Sequence, residues 1–149
     1  LCEQFESRDV HKRYVALVRG APAEAQTIDH ALRPDNGGEP QPAITDLRRL
    51  SQYGRYAWVE ALPHSGRLHQ IRRHLKHVSC PIIGDVRYGK GEHNRLFRER
   101  YGLHRLALHA AQLRLRAPSG APLDIAAPLA PDLTRALDQL AAESLSPSK

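Results

Sequence analysis

The sequence contains no methionine and only two cysteines, Cys2 and Cys80. Two thiols form neither a disulfide framework nor a metal-ligand pattern, which fits a reducing, cytoplasmic setting. Methionine is missing even at position 1, so Leu1 is expected not to be the natural start, with further sequence upstream of it. The opening residues Leu1-Cys2-Glu3-Gln4-Phe5-Glu6 have neither the basic nor the apolar segment of a secretory leader. No apolar run approaches the length needed to span a bilayer, and no membrane partner is expected.

Several chemical signatures are also missing. There is no His-Glu-x-x-His pair, although His69, His74 and His77 lie close in sequence, and no metal is expected. Ser65 stands between His64 and Gly66, but no Gly-x-Ser-x-Gly elbow is present, which argues against a serine hydrolase. The Gly84-Asp85 turn lacks the lysine and spacing of a phosphate-binding loop.

What is present suits one domain. The 149 residues are 41% hydrophobic and 26% charged, enough for a core and a polar surface. Eleven prolines and ten glycines predict many turns and short strands. Charge is unevenly spread. Residues 61–116 carry twelve Lys/Arg against three acidic residues, a balance of +9, and seven of the nine histidines. The remainder of the chain stands at −3. A positive field concentrated on one segment attracts polyanions, and nucleic acid is the natural partner.

Periodicity supplies the elements. Residues 1–9 read as the end of a helix. Val10 to Arg19 alternates as a strand with one buried face. Thr27 to Leu32, Ala43 to Leu50 and Arg55 to Leu62 are further strands, the last two joined by a tight turn at Gln52-Tyr53-Gly54. A basic helix covers about 68–78, a loop 85–92, and a second basic helix His93 to Arg100, stopped by Gly102. Leu106 to Arg116, with a bulge or end near Leu113 to Leu115, and Leu123 to Ala126 are the last strands. A final helix opens at Pro131 with Leu133, Leu137 and Leu140 on one face, and residues 144–149 read as a frayed tail. Hairpin-linked strands with inserted helices predict an α+β fold around a mainly antiparallel mixed sheet.

The centre of this pattern is Gly66-Arg67-Leu68-His69-Gln70-Ile71-Arg72-Arg73-His74-Leu75-Lys76-His77. On a helical wheel Ile71, Leu75 and Val78 share one face, while His69, Arg73 and Lys76 take the other. Arg72 falls on the border, roughly 100° from Ile71 by the 3.6-residue period. A border arginine can lay its stem on the core and send its guanidinium into a cleft.

Four strings in order give the chain its affinity. They are Lys12-Arg13-Tyr14-Val15-Ala16-Leu17-Val18, Gly66 to Arg72, Cys80-Pro81-Ile82-Ile83-Gly84-Asp85-Val86-Arg87-Tyr88-Gly89, and Arg105-Leu106-Ala107-Leu108-His109-Ala110. At these spacings the sequence resembles the RluA-type RNA pseudouridine synthases over about residues 5–135. Arg72 to His77 and Gly89 to Arg95 resemble members of that family that isomerise uridine 65 of tRNA. The resemblance implies a partial synthase catalytic domain over 1–143 and a reaction without a cofactor. It also implies that Tyr14 packs on the target base and that Arg72 pairs with a catalytic aspartate. Arg67, His69, Gln70, Arg73 and Lys76 become candidates for RNA contact, while Asp85 and His109 are expected to serve turns and strand ends.

The family's His-Arg-Leu-Asp-Arg motif, which carries that aspartate upstream of the Lys-x-Tyr strand, is absent from these 149 residues. His104-Arg105-Leu106 continues with Ala107 and lies in the wrong place. The expectation is therefore a C-terminal portion of a synthase, inactive as it stands, with Arg72 solvated or turned to another acid. A non-catalytic RNA-binding module and a synthase acting on ribosomal RNA are the alternatives.

Overall fold

The computed structural model describes residues 10–144. Six strands, β1 (His11–Arg19), β2 (Ala25–Asp29), β3 (Ile44–Tyr53), β4 (Tyr56–Pro63), β5 (Leu108–Arg116) and β6 (Pro122–Ala126), form one sheet in the order β2-β3-β4-β1-β5-β6. Each neighbouring pair is antiparallel. Three helices accompany them: α1 (Gln70–His77), α2 (Gly91–Tyr101) and α3 (Pro131–Ser144). The α+β reading holds, with a sheet that is antiparallel throughout the described residues. The helix expected over residues 1–9, and all of the expected tail beyond Ser144, lie outside the described residues. Ser144 itself ends α3 rather than starting a tail.

β1 departs from the one-faced strand that its alternation predicts. Val15, Ala16, Leu17 and Val18 are all at most 5% exposed. Successive side chains of a strand point to opposite faces, so such a run means that both faces are covered. Opposed residues share a face, which sorts the sheet into two sides. Tyr14 lies opposite Ala61, and Ala61 opposite Leu47. The same side carries Thr45, whose hydroxyl meets Gln70 and His74 of α1. On the other side Tyr56, opposite Arg19, packs edge-on against Phe97 of α2 with ring centroids 4.8 Å apart. Phe97, Leu133 and Ala136 are fully buried there with Leu17.

Other bounds shift by a few residues for local reasons. The second strand is Ala25–Asp29, and Leu32 instead makes an isolated bridge with Gln41. The β3–β4 hairpin closes at Tyr53 opposite Tyr56, leaving Gly54-Arg55 as the loop, with Gly54 at φ 61°. Glycine at the first loop position suits a II′ hairpin turn, whose twist matches the strands. The bulge expected near Leu113 falls earlier, where the register against β1 shifts between Arg13 and Tyr14. The helix α1 is two residues shorter at its start, because His69 takes the left-handed conformation (φ 51°, ψ 34°). The second basic helix begins earlier than expected, at Gly91, and stops at Gly102 in the left-handed conformation.

Two histidines are built into this frame as neutral groups. His74 is fully buried; its Nε2–H donates to the His30 carbonyl at 2.9 Å and its Nδ1 accepts from the Thr45 hydroxyl at 2.8 Å. In His93, Nε2 accepts from Arg19 Nε at 3.0 Å, so Nδ1 carries the proton that reaches Tyr56 Oη at 2.8 Å. Burial lowers the pKa of both below the ordinary imidazole value of 6.5. Protonation therefore favours the unfolded chain. The stability these burials contribute is complete above that value and is lost as the pH falls through it toward the folded pKa. Urea midpoints measured from pH 7.5 to 5 should decline, and H74Q should flatten the slope, leaving the share that belongs to His93.

Candidate base-binding cleft

The basic helix and the strand beneath it enclose a cleft of about 390 Å³. Its lining comes from Lys12 and Tyr14 of β1, Pro63 at the end of β4, the turn Ser65 to Arg67, residues His69 to Arg72, and Leu106 and Leu108 at the entry of β5. One wall is apolar and aromatic, the other cationic. Among the described residues, no acidic side chain lines it.

The sheet positions Tyr14. It follows the register shift in β1 and is half-buried on the α1 side. Lys12, two residues earlier, shares its face. A Cβ on Gly66 would lie 3.3 Å from Lys12 Nζ, so the ammonium group reaches the glycine turn. Burial lowers the pKa of Lys12.

Arg72 meets its border expectation, with its side chain 18% exposed. The carboxylate it reaches belongs to this chain. Asp85, fully buried, accepts Arg72 Nε at 2.9 Å on Oδ2 and Nη2 at 2.8 Å on Oδ1. Of the two expected fates for the guanidinium, the turn to another acid is the one observed. Asp85 Oδ1 also accepts the backbone N–H groups of Arg87 at 3.1 Å and Tyr88 at 2.9 Å. Burial alone would raise the Asp85 pKa; the hydrogen bonds from Arg72, Tyr88 and Arg87 outweigh it and hold the carboxyl below its usual range. The hydrogen bond to Asp85 raises the Arg72 pKa in turn. The turn expected at Asp85 is therefore real, and the same carboxylate also binds the helix.

The remaining candidates divide. Arg67 donates its Nε to the Pro42 carbonyl at 3.0 Å and lines the cleft. His69 lines it from a left-handed backbone, with Nδ1 3.3 Å from Tyr88 Oη. Gln70, a candidate for RNA contact, is 4% exposed and its amide is spent on the frame. Its Nε2 donates to the Ile44 carbonyl and to Thr45 Oγ1, both at 3.0 Å. Its Oε1 accepts from Ser65 Oγ at 2.6 Å and from Arg67 N–H at 3.2 Å. These bonds make Gln70, which also lines the cleft, a clamp joining the glycine turn to β3. Arg73 lies off the cleft and donates to the carbonyls of Leu68 at 3.1 Å and Arg33 at 2.7 Å. Lys76 is exposed on the helix, also off the cleft. The three helix-region histidines do not converge: His74 is committed as described, and His77 stacks on His30 with centroids 3.7 Å apart. Among the described residues, no group of three or more His, Cys, Asp or Glu could hold a metal ion.

Comparison with known proteins gives the family and supports the fold. The model of the RNA pseudouridylate synthase family matches residues 1–77, which include β1, the glycine turn and α1. The chain belongs to that family. Among curated relatives it is 39% identical to tRNA pseudouridine synthase C of Pectobacterium carotovorum subsp. carotovorum, over 85% of this chain and 40% of that one. It is 37% identical to tRNA pseudouridine synthase C of Salmonella typhimurium, over 99% of this chain and 65% of that one. It thus spans about 40–65% of the length of these relatives. The fold matches human RNA Pseudouridylate Synthase Domain Containing 1 with a TM-score of 0.73 at 27% identity, over 99% of this chain and 71% of that one. It also matches human RNA Pseudouridylate Synthase Domain Containing 4 with a TM-score of 0.77 at 29% identity, over 94% and 66% of the two chains. Among the described residues, no helix is long and apolar enough to cross a membrane.

The family wall is thus built from the glycine turn as much as from the helix. Q70A removes the clamp and leaves the buried Thr45 hydroxyl and the half-buried Ser65 hydroxyl each one hydrogen bond short. It should cost about 1–3 kcal/mol in urea denaturation. K76A, an exposed change, should stay within about 0.5 kcal/mol.

Proposed function

We propose that this chain provides the base-binding and cationic part of an RNA pseudouridine synthase acting on tRNA in the cytoplasm. The observation that supports this reading is that Tyr14 and Arg72, from distant parts of the sequence, line one cleft with Lys12 and Arg67. A target uridine has to leave its stack at a cost of a few kcal/mol and find a replacement surface. The Tyr14 ring supplies one, and stacking of a base on an aromatic ring is worth about 1–3 kcal/mol. The reaction is an isomerisation. The N1–C1′ bond breaks, the base turns, a C5–C1′ bond forms, and the proton lost from C5 is balanced by one gained at N1. No external reactant enters the balance. Arg72, held with its remaining donors at the cleft, stabilises negative charge on a carboxylate or on the detached base.

The nucleophilic carboxylate has no candidate on the cleft among the described residues, and Asp85 is fully engaged behind it. In this reading it comes from sequence upstream of Leu1, and the 149-residue chain binds RNA without turning it over. That no acid of the described residues lines the cleft also favours the second reading, a non-catalytic RNA-binding module. The relatives named tRNA pseudouridine synthase C support tRNA over ribosomal RNA as the substrate; uridine 65 as the target rests on the resemblance of Arg72 to His77 and Gly89 to Arg95 alone.

The test compares two proteins on unmodified tRNA and on ribosomal RNA. The chain alone should bind tRNA in a salt-dependent manner and form no pseudouridine. The chain expressed with its upstream coding sequence should modify tRNA, and R72A in that background should lower kcat by about 10²-fold or more. Turnover by the 149 residues alone would overturn the carboxylate assignment. Binding without product in the extended protein would select the non-catalytic module, and product on ribosomal RNA only would move the substrate.

A further inference from the structure

The loop between α1 and α2 does more than connect them. We propose that Asp85 and Tyr88 are positioning residues, which fix the direction in which Arg72 and His69 face the cleft. This rests on the reading of the cleft as a uridine site.

An arginine on an eight-residue helix has four rotatable side-chain bonds, and a border position alone does not choose among its rotamers. Asp85 does. It takes Nε and Nη2 together, the planar fork that a carboxylate matches. Nη1 and the second hydrogen of Nη2 are then the donors left for the cleft. Tyr88 completes the cradle. Its ring centroid lies 5.2 Å from Arg72 Cζ, and its hydroxyl is 3.3 Å from His69 Nδ1. Two cleft residues thus rest on one tyrosine.

The carboxylate is itself unable to turn. Oδ1 accepts two backbone N–H groups from its own turn. The Asp85 carbonyl accepts Asn94 Nδ2 at 3.0 Å and the Gly89 N–H at 3.0 Å. Asn94 Oδ1 in turn accepts the Gly84 N–H at 2.7 Å. Asn94 is a buried residue of α2. The turn is also closed by its glycines: at Gly84, with φ 83°, a Cβ would collide with the Arg105 carbonyl, and at Gly89 one would lie 2.5 Å from the Asp85 carbonyl oxygen. The direction of Arg72 is therefore referred, through Asp85 and Asn94, to the helix on the opposite face of the sheet.

A residue acting through Arg72 differs measurably from one that only stabilises the fold. In the chain expressed with its upstream sequence, D85N should lower kcat by about 10²-fold, the size expected for a misplacement of about 1 Å, with KM little changed. R72A should lower it at least as far. The double variant D85N/R72A should be no slower than R72A alone, because Asp85 has nothing left to orient. Y88L, which leaves the Asp85 pair in place, should produce a smaller loss of the same kcat type. On the 149-residue chain, the Arg72 Nε–H resonance should be slow to exchange and should lose that protection in D85N. Losses that add in the double variant, or an Arg72 Nε–H unchanged in D85N, would overturn the proposal. If D85N does not fold, a Y88L enzyme with unaltered kcat overturns it equally. A wild-type extended protein without activity on any RNA would remove the underlying reading instead, and the proposal with it.

Discussion

A guanidinium facing a cleft needs a partner that does not move. In this chain that partner is a carboxylate with no exposed surface, placed on a turn that can form only where two glycines allow it. The pairing of Arg72 with Asp85 draws together α1, the loop after it and, through Asn94, α2. Its energetic logic is that of a buried ion pair. Removing both charges from water is expensive, and the attraction repays that cost only when the remaining acceptor sites are filled. They are filled here by two backbone N–H groups, and the hydrogen bonds from Arg72 together with these hold the Asp85 pKa down despite its complete burial. Breaking one side of such a pair leaves an uncompensated charge inside the protein. The arrangement is therefore more a commitment to one geometry than a large source of stability.

The opposite wall depends on a different constraint. Tyr14 sits on a central strand whose next four residues are buried on both faces, so its backbone is fixed by pairing on two sides. The register shift just before it allows β5 to follow β1 while Lys12 and Tyr14 keep to the α1 side. Between the two walls lies the glycine turn, tied to β3 through the Gln70 amide. The cleft is thus bounded by a strand, a helix and a clamped turn, each held by contacts that do not involve a ligand. Such preorganisation is what electrostatic stabilisation of a reacting group requires, because the donors need not reorganise when charge develops.

Much of this was legible in the sequence, and the unread part has a physical cause. Local periodicity is a short-range signal, and it located four of the six strands to within two residues at both ends and the other two to within three, an accuracy typical of element boundaries. The border position of Arg72 followed from the wheel, and Tyr14 from the resemblance. What periodicity does not encode is the second layer. The hydrophobic run Val15 to Val18 reads as alternation until α2 and α3 are known to cover the other face. Gln70 and His74 are polar letters in a basic helix, and nothing nearby says that Thr45 and the carbonyls of His30 and Ile44 will meet them. Asp85 was recognisable as a turn residue because its turn is local. Its hold on Arg72 spans the helix end, a left-handed Ser79 and Pro81, and no spacing rule covers that path.

The same distinction bears on charge. The +9 balance of residues 61–116 suggests a uniformly positive surface, yet much of it is cancelled by acids from elsewhere in the chain. Arg87 meets Asp35, Arg100 meets Glu143, Arg105 meets Asp132 and Arg114 meets Asp124, each within 4 Å. Arg72 is neutralised by Asp85. Among the described residues, Arg67, Arg73 and Lys76 meet no acid within 4 Å. Arg67 and Arg73 spend their donors on carbonyl groups, which hold the side chains without removing their charge. The last turn of α1 adds Lys76, where a cation also suits the helix dipole. The field that a polyanion meets is therefore narrower than the composition implies. Arg67 lies on the cleft and Arg73 and Lys76 lie off it, while the charge of Arg72 is balanced by Asp85. Under the proposed function, these cations draw the nucleic acid, and Arg72 discriminates by direction rather than by charge alone.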